Sequence, residues 1–375
     1  MFRAKLLEEI IRHRIRHNGP IPVSDYMALA LAHPSHGYYR KADPLGRDGD
    51  FITAPEISQA FGEIIGLWCI VTWQKAGKPT PCHLIEMGPG RGTLMADAMR
   101  AARAQPDFLD AAKIHLVETS PVLRATQRET LKHHGVTWHS ALETVPEGPC
   151  IIIANEFFDA LPINQYVRAN DGWRGRSVGI DQASGQLDFV VEPAPVASTG
   201  LIPPVLMDAP NGSIFEHCPT AIKIASAIGK RLASDGIAAL IIDYGYEGPD
   251  AGETLQAVRN HDRYDVLSDP GNADLTAHVD FNTVLTAAQA AGATGFGPIP
   301  QGAFLTMLGI EARTRSLEKN ADKVQADLLR TGFKRLVGPK AMGALFKVLA
   351  LTNGRHGDPA GFESNSATPK RTEFD

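Results

Sequence analysis

The chain has 375 residues, of which 43% are hydrophobic and 21% charged, and its formal net charge is −5. This length suits one large α/β domain with additions, or two domains. The mild acidity argues against nucleic acid as a partner, and no apolar run approaches the roughly 18 residues that a membrane span needs. No metal site is predicted, because the cysteines are widely spaced and are expected as core thiols: Cys69, Cys82, Cys150 and Cys218.

Leucine and isoleucine recur at helical spacing within residues 1–18, which predicts an amphipathic packing helix. The segment is basic, but Glu8, Glu9 and the lack of serine are unlike an organelle transit peptide. We therefore interpret the segment as part of the fold and not as a transit peptide.

Residues 33–39 crowd two histidines and two tyrosines into a turn, where they serve either packing or substrate contact. Residues 45–50 are polar and glycine-rich, which predicts a mobile loop. Thr53 and Glu56 have the spacing of a capping box. The apolar residues that follow, from Ile57, keep the helical period, so one helix is expected to start here and lie on the sheet.

Residues 83–94 read as a strand, a tight turn and a helix start. Glu86 is followed by Gly88, Gly90 and Gly92, and glycine allows both positive φ and close approach of a ligand. The spacing departs from the dinucleotide fingerprint, whose third glycine would stand at Thr93. A carboxylate at position 86 suits a cationic amino-acid group, and the pattern resembles the first motif of S-adenosylmethionine-dependent methyltransferases. The alternative is a plain tight turn.

Two further strands are predicted after this turn. The strand at residues 114–118 ends in Glu118, where an acid would reach the ribose of an adenosyl cofactor. The strand at residues 135–139 ends at Trp138 and His139, where the adenine ring would lie. Trp138 either stacks on that ring or packs in the core.

A fourth strand, at residues 150–154, runs directly into the octapeptide of residues 155–162, which contains an amide, two acids, two aromatics and a proline. Reacting groups in open parallel sheets lie at the carboxyl ends of strands. Glu156 and Asp159 are three residues apart, so a helical turn would bring both carboxylates to one face. We predict Glu156, Asp159 and Asn155 as catalytic residues, and Asn155 also as a cofactor contact.

The later chain alternates insertions with strands of the sheet. A β-meander is predicted in residues 165–192, and a fifth strand at residues 237–246. Helical residues 303–330 and a closing strand at residues 346–351 follow. Asp280 either faces the cleft or caps the helix that begins at Phe281.

In this order, the motifs resemble the MidA family, from about residue 19 to 351. That family contains the mitochondrial complex I assembly arginine methyltransferase and many bacterial relatives. The resemblance implies a class I methyltransferase fold, which is a Rossmann-like α/β fold with a mostly parallel sheet and helices on both faces. It also implies S-adenosyl-L-methionine as the methyl donor. The implied acceptor is an arginine of a protein, and a subunit of the respiratory NADH dehydrogenase is the candidate. Because residues 1–18 lack a clear transit peptide, we expect a bacterial cytoplasmic member of the family, with the mitochondrial matrix as the less favoured location.

We expect five regions, which are an N-terminal helical extension over the cofactor site (1–80), a cofactor-binding core (81–164 and 218–246), an inserted β-meander and linker (165–217), a second insertion with helices and the closing strand (247–351), and a disordered tail (352–375). Two other functions remain open. One is an assembly factor that binds the cofactor but acts by docking a client protein. The other is a nicotinamide-dependent oxidoreductase, which the glycine spacing and Glu86 disfavour. The oligomeric state and the degree of methylation are left open.

Overall fold

The structure is a computed structural model that describes residues 2–41, 52–196 and 200–363, with the side chains of residues 2–5 and 41 excluded. The loop predicted at residues 45–50 lies outside these ranges, and so do Phe51 and residues 364–375. None of the helices in the described ranges is both long enough and apolar enough to cross a membrane.

The described strands are, in chain order, β1 (Ile21–Pro22), β2 (Cys82–Met87), β3 (Ala112–Val117), β4 (Val136–His139), β5 (Cys150–Asn155), β6 (Asn164–Ala169), β7 (Gly172–Ile180), β8 (Leu187–Pro195), β9 (Ile214–His217), β10 (Ala238–Tyr246), β11 (Gln256–Arg259), β12 (Asp262–Tyr264), β13 (Asp274–Thr276), β14 (Val279–Asp280), β15 (Thr294–Pro300) and β16 (Phe346–Thr352).

The described α-helices are, in chain order, α1 (Phe2–Asn18), α2 (Val23–Ala32), α3 (Tyr38–Lys41), α4 (Ala54–Ile57), α5 (Gln59–Lys75), α6 (Thr93–Ala102), α7 (Pro106–Ala111), α8 (Pro121–Thr130), α9 (Pro219–Ser234), α10 (Phe281–Ala290), α11 (Gln301–Met307), α12 (Ile310–Glu318), α13 (Lys323–Val337) and α14 (Met342–Leu345). Short 3₁₀ turns lie at Leu142–Thr144 and Pro204–Leu206.

The central sheet has the strand order β4-β3-β2-β5-β10-β16-β15, with β14 beside the end of β10. Its first five strands are parallel, and β16 runs antiparallel to both of its neighbours. The chain moves outward in one direction from β2 and in the other from β5. Open α/β sheets bind ligands at such a reversal, outside the carboxyl ends of the strands.

Helices cover both faces of this sheet. Every residue of β5 is buried, as expected for a strand that is covered on both sides. One apolar core joins the sheet to α5 and α6, and a second joins the opposite face to α9 and α10. The predicted α/β fold with a mostly parallel sheet and flanking helices is therefore confirmed.

A second, antiparallel sheet forms from the segment between β5 and β10. Its order is β1-β7-β6-β9, and β8 also pairs with β7. The N-terminal segment thus contributes an edge strand through the pair Ile21 and Val178. A third apolar core joins α1 and α2 to this sheet and to β11 and β13. Asp159 O accepts a hydrogen bond at 2.9 Å from the backbone N–H of Ala277, a residue of this third core. The third core therefore adjoins the loop that follows β5.

Several local expectations are wrong. The helix expected from Thr53 is two helices, because Ser58 is extended and its Oγ accepts from Ala60 N at the start of α5. The capping box does not form, because Glu56 accepts instead from the hydroxyl of Thr93. The helical stretch expected at residues 303–330 is divided into α11, α12 and α13, with Gly309 at φ +85° between the first two.

The disordered tail expected from Thr352 is also wrong for the part that the structure describes. Thr352 is the last residue of β16, where it pairs with Ala238. Beyond it, Ala360 O accepts from Trp68 Nε1 at 3.1 Å, and the ring of Phe362 contacts Phe304. An aromatic anchor and a backbone acceptor thus hold residues 353–363 against the helical face.

Helix α6, which starts at the glycine turn, packs closely against α5. A Cβ atom added to Gly66 would lie 2.6 Å from Ala98 Cα and 2.8 Å from Ala98 O. Gly62, one turn earlier, faces Asp97 in the same way. The backbones of the two helices therefore approach each other through glycine.

We predict that Gly66→Ala lowers the free energy of unfolding by about 1–2 kcal/mol, because overpacking costs about 1–3 kcal/mol and alanine recovers part of this through helix propensity. Denaturant unfolding followed by circular dichroism measures the change. Gly135→Ala is the control, since an added Cβ at Gly135 meets nothing within 4 Å. Equal stability of the two variants would contradict the packing argument.

Candidate functional site

The turn after β2 has the backbone that its glycines predict. Gly88, Gly90 and Gly92 all have positive φ, at +63°, +52° and +82°. A Cβ on Gly88 would lie 2.7 Å from Cδ2 of Phe157, in the loop after β5. The turn and the octapeptide predicted as the chemical centre are therefore in direct contact.

A buried glutamine on α8 supports this turn. Gln127 Nε2 donates to Gly90 O at 2.7 Å and lies 3.4 Å from Glu118 Oε2. Gln127 Oε1 accepts from Trp138 Nε1 at 2.9 Å. Gln127 was not predicted from the sequence, and its only signal was a polar residue on the apolar face of a helix. Trp138 contacts the site through Gln127.

Glu118 stands just after β3, between the turn and β4. Its Oε1 accepts from Ser120 N at 2.6 Å, and its own N–H donates to His139 O at 3.0 Å. Burial raises the pKa of this carboxyl above its ordinary value. His139 thus supports Glu118 through its backbone, while its ring lies 3.0 Å from the ring of His115.

The loop after β5 is not the helical turn that we expected. Glu156 has φ +49°, a left-handed conformation that costs a non-glycine residue roughly 1–2 kcal/mol. Its N–H donates to Ile242 O at 2.9 Å. The backbone therefore turns sharply at Glu156, and the predicted carboxylate pair is not on one helix face.

Asp243, the neighbouring residue on β10, holds the rest of this loop. Its Oδ2 accepts from three consecutive amides, those of Phe157, Phe158 and Asp159, at 3.2, 3.0 and 3.2 Å. Its Oδ1 accepts from Tyr244 N at 2.9 Å. Asp243 is fully buried. The sequence showed an acid at the end of this strand but not its partners.

A cavity of about 310 Å³ lies over the carboxyl ends of β2 and β5. The glycine turn, Glu86, Glu118, Asn155 and Glu156 line it, whereas Asp159 does not. Asp159 is buried beneath the cavity, and this burial raises its pKa to about 6. The structure thus brings Glu156 and Asn155 together with the predicted cofactor residues and leaves Asp159 behind them.

Three buried oxygen atoms of the lining residues have no hydrogen-bond partner among the described residues. They are Glu86 Oε2, Asn155 Oδ1 and Glu156 Oε2. A buried acceptor without a partner costs roughly 1–3 kcal/mol. Acceptors that share one cavity fit a ligand that carries several N–H donors or a positive charge.

Burial raises the pKa of Glu86 to about 8. Burial, with a smaller effect from Asp159, likewise raises the pKa of Glu156 to about 8. Glu156 Oε1 is nevertheless held, by Ala54 N at 2.7 Å and Asn155 Nδ2 at 3.2 Å. With these pKa values both carboxyls are mostly neutral near pH 7, and a cation in contact with them would favour their ionised forms.

A second cavity, of about 380 Å³, adjoins the first and shares Gly88, Glu118 and Phe157 with it. Residues 140–143, which follow β4, and apolar side chains such as Met87 line the remainder. The side chains of Trp138 and His139 are outside the lining of both cavities. Gly92 is also outside the lining, because it faces Leu131.

The N-terminal segment forms one wall of the first cavity. Tyr39 lines it and donates from its hydroxyl to Asp274 Oδ1 at 2.9 Å, so it serves packing and the cavity together. His33 is outside the lining. Asp280, by contrast, caps α10, since its Oδ1 accepts from Thr283 N at 3.1 Å. Among the described residues no group of three or more His, Cys, Asp or Glu side chains could hold a metal ion.

Residues 64–299 match a family model described as "Putative S-adenosyl-L-methionine-dependent methyltransferase". A solved structure from Burkholderia thailandensis, bound to S-adenosyl-homocysteine, is 30% identical to this chain. It superposes with a TM-score of 0.81 and covers 96% of this chain and 95% of its own. Both findings disfavour the nicotinamide alternative.

Two relatives match nearly the whole chain. The zebrafish (Danio rerio) protein is 38% identical over 92% of this chain and 87% of its own length, and the human (Homo sapiens) protein is 38% identical over 91% and 82%. Each carries the name "Protein arginine methyltransferase NDUFAF7, mitochondrial".

The expected bacterial cytoplasmic location is contradicted by these mitochondrial relatives. The composition of residues 1–18 does not indicate the cellular location, because α1 is a packing helix of the fold, and its Leu7 and Ile11 are fully buried. The matches in sequence and structure agree over most of the chain. The chain therefore belongs to the MidA family of S-adenosyl-L-methionine-dependent methyltransferases.

Proposed function

We propose that this enzyme transfers the methyl group of S-adenosyl-L-methionine to an arginine nitrogen of a protein. The observation that carries the proposal is the set of unpartnered buried acceptors in one cavity, on Glu86, Asn155 and Glu156. The cofactor supplies one cationic amino group, and a guanidinium supplies five N–H donors. The names of the relatives support arginine as the acceptor.

We propose that the cofactor spans both cavities. Glu86 binds the methionyl amino group, and the backbone of Gly88 and Gly90 packs against the methionine and ribose, while Gly92 shapes the turn from outside the cavities. Glu118 lies where the two cavities meet, so it accepts from the ribose hydroxyls. The adenine ring occupies the second cavity beside residues 140–143. Trp138 and His139 act on this site indirectly, through Gln127 and through the backbone of Glu118.

Glu156 and Asn155 are the proposed contacts of the guanidinium. S-adenosyl-L-methionine supplies an electrophilic methyl group on a sulfonium, so the acceptor nitrogen must be held in line with it. Positioning of this kind lowers a barrier by roughly 7–11 kcal/mol. Guanidinium stays protonated to about pH 12, and Glu156, with its pKa near 8, is suited to accept the proton that the nitrogen loses. Asp159, beneath the cavity, is a positioning residue in this scheme.

We further propose that the N-terminal helical extension and the loop after β5 form the walls that select the protein acceptor. Tyr39 from the extension and Ala160 from the loop before the insertion both line the first cavity. That the acceptor belongs to the respiratory NADH dehydrogenase rests on the family resemblance alone.

The central experiment incubates the protein with methyl-labelled S-adenosyl-L-methionine and a mitochondrial extract, and identifies the labelled residue by mass spectrometry. We expect label on arginine. Glu156→Gln should lower transfer by about 10²–10⁴-fold, the usual contribution of a general base, while cofactor binding persists. Glu129→Gln, at an exposed position, is the control.

Label only in small molecules would refute the arginine acceptor. If a Glu156→Gln, Asp159→Asn double variant instead retains full biological function, the protein acts by docking a client.

We predict that Glu118→Ala weakens cofactor binding by about 10–100-fold, because hydrogen bonds to a charged group contribute about 1.5–3 kcal/mol. Isothermal titration calorimetry measures this affinity. Glu129→Ala, which removes an exposed carboxylate of the neighbouring helix, should leave it unchanged. Unaltered affinity in the Glu118 variant would remove this residue from the cofactor site.

We predict that cofactor binding at pH 7 releases roughly one proton. Burial has raised the pKa of Glu86 to about 8, so the carboxyl is protonated before binding and ionises against the cofactor's amino group. Affinity should therefore rise between pH 6 and 8. Calorimetry in buffers of different ionisation enthalpy counts the proton. Glu86→Gln should abolish the release and Glu156→Gln should retain it, and the reverse pattern would refute the assignment.

A further inference from the structure

Asp243 combines full burial with an unusual hydrogen-bond role. One of its carboxylate oxygens accepts from three consecutive amides, and the other accepts from Tyr244 N. Three amides that converge on one oxygen form a small anion-binding concavity. Here its occupant is a side chain from the neighbouring strand. Asp243 lines neither cavity, so it touches neither the cofactor nor the acceptor.

The residue before these amides is Glu156, whose backbone is in the left-handed region. Such conformations persist only where the surrounding structure imposes them. Two contacts from β10 do so: Ile242 O accepts from Glu156 N, and Asp243 accepts from the next three amides. The strand thus holds the chain on both sides of the Glu156 side chain.

The same loop also reaches the cofactor turn. Phe157 supplies the first of the three amides, and its ring packs so closely on Gly88 that a Cβ atom there would clash with it. A carboxylate that fixes the backbone at position 157 therefore fixes a wall of both cavities. Glu216 offers a useful contrast, because it is also a buried carboxylate that accepts backbone amides, from Thr254 and Leu255 at 3.0 and 3.1 Å, but it lies outside both cavities.

We propose that Asp243 is a positioning residue for methyl transfer, which holds the loop at residues 157–159 so that Glu156 is presented to the acceptor nitrogen. The proposal rests on the proposed function, in which Glu156 contacts that nitrogen. An asparagine at position 243 has one acceptor oxygen and an NH2 donor in place of two acceptor oxygens, so it cannot accept from both the three loop amides and Tyr244 N. The loop would then sample other conformations and Glu156 would lose its alignment.

The test compares Asp243→Asn with the matched control Glu216→Gln. In hydrogen exchange, the amides of residues 157–159 should exchange at least about 10-fold faster in Asp243→Asn and at the native rate in Glu216→Gln. Transfer of label from S-adenosyl-L-methionine to protein of the mitochondrial extract should fall by about 10–100-fold in Asp243→Asn only. Cofactor affinity, measured by calorimetry, should fall by a smaller factor than transfer does, because Phe157 forms only one wall of the cavities proposed for the cofactor.

A double variant separates positioning from general stability. If Asp243 acts through Glu156, then Glu156→Gln with Asp243→Asn should transfer methyl groups no more slowly than Glu156→Gln alone, because residues that act as a unit are not additive. Independent, multiplying losses would overturn the proposal, and so would native exchange at residues 157–159 or an equal loss of transfer in Glu216→Gln.

Two further outcomes are decided by the same measurements. If Asp243→Asn does not fold, Asp243→Ser keeps one small acceptor and takes its place in every comparison. If the native protein puts no label on arginine, the proposed function fails. The exchange rates then decide the positioning role by themselves, and unchanged protection of residues 157–159 overturns it.

Discussion

The burial of carboxyl groups beneath a cavity is the constraint on which the site depends. Removing Glu86 and Glu156 from water disfavours their charged forms, which is why their pKa values are about 8. Each also keeps one oxygen without a partner among the described residues. Buried carboxyl oxygens without partners are costly, and cationic groups in contact with them offset this cost. A cationic cofactor and a cationic acceptor side chain both supply such groups.

Neighbouring strands supply the rigidity that this arrangement needs. The order of the sheet reverses between β2 and β5, which opens the cleft, and β10 lies against β5 on its far side. From β10 come the carbonyl of Ile242 and the carboxylate of Asp243 that shape the loop after β5. On the cofactor side, Gln127 on α8 joins Gly90 to Glu118. The residues that line the cavities are thus held by Gln127, Ile242 and Asp243, which do not line them.

The sequence predicted what depends on local spacing. The glycine turn, the buried strands and the acid after β3 are recognisable because a few adjacent residues determine them. Contacts between distant segments could not be predicted. For example, the backbone amides that donate hydrogen bonds to Asp243 lie about 85 residues before it. The sequence left Trp138 with two possible partners, the adenine ring and the core, because side chains alternate between the faces of a strand and the edge position of β4 does not determine which face is buried. The capping box at Thr53 failed because a tertiary partner, Thr93, engages Glu56.

The pairing of β1 with β7 has a consequence for how the protein is made. Segments of residues 2–41 contact residues far along the chain: Ile21 pairs with Val178, and the hydroxyl of Tyr26 donates a hydrogen bond to Val266 O at 2.7 Å. At about 5–20 residues per second, a ribosome needs roughly 10–50 s to synthesise the chain between Tyr26 and Val266. The amphipathic segment of α1 and α2 thus leaves the ribosome before the strands that bury its apolar face, so in the nascent chain this wall of the proposed acceptor site needs protection by a chaperone.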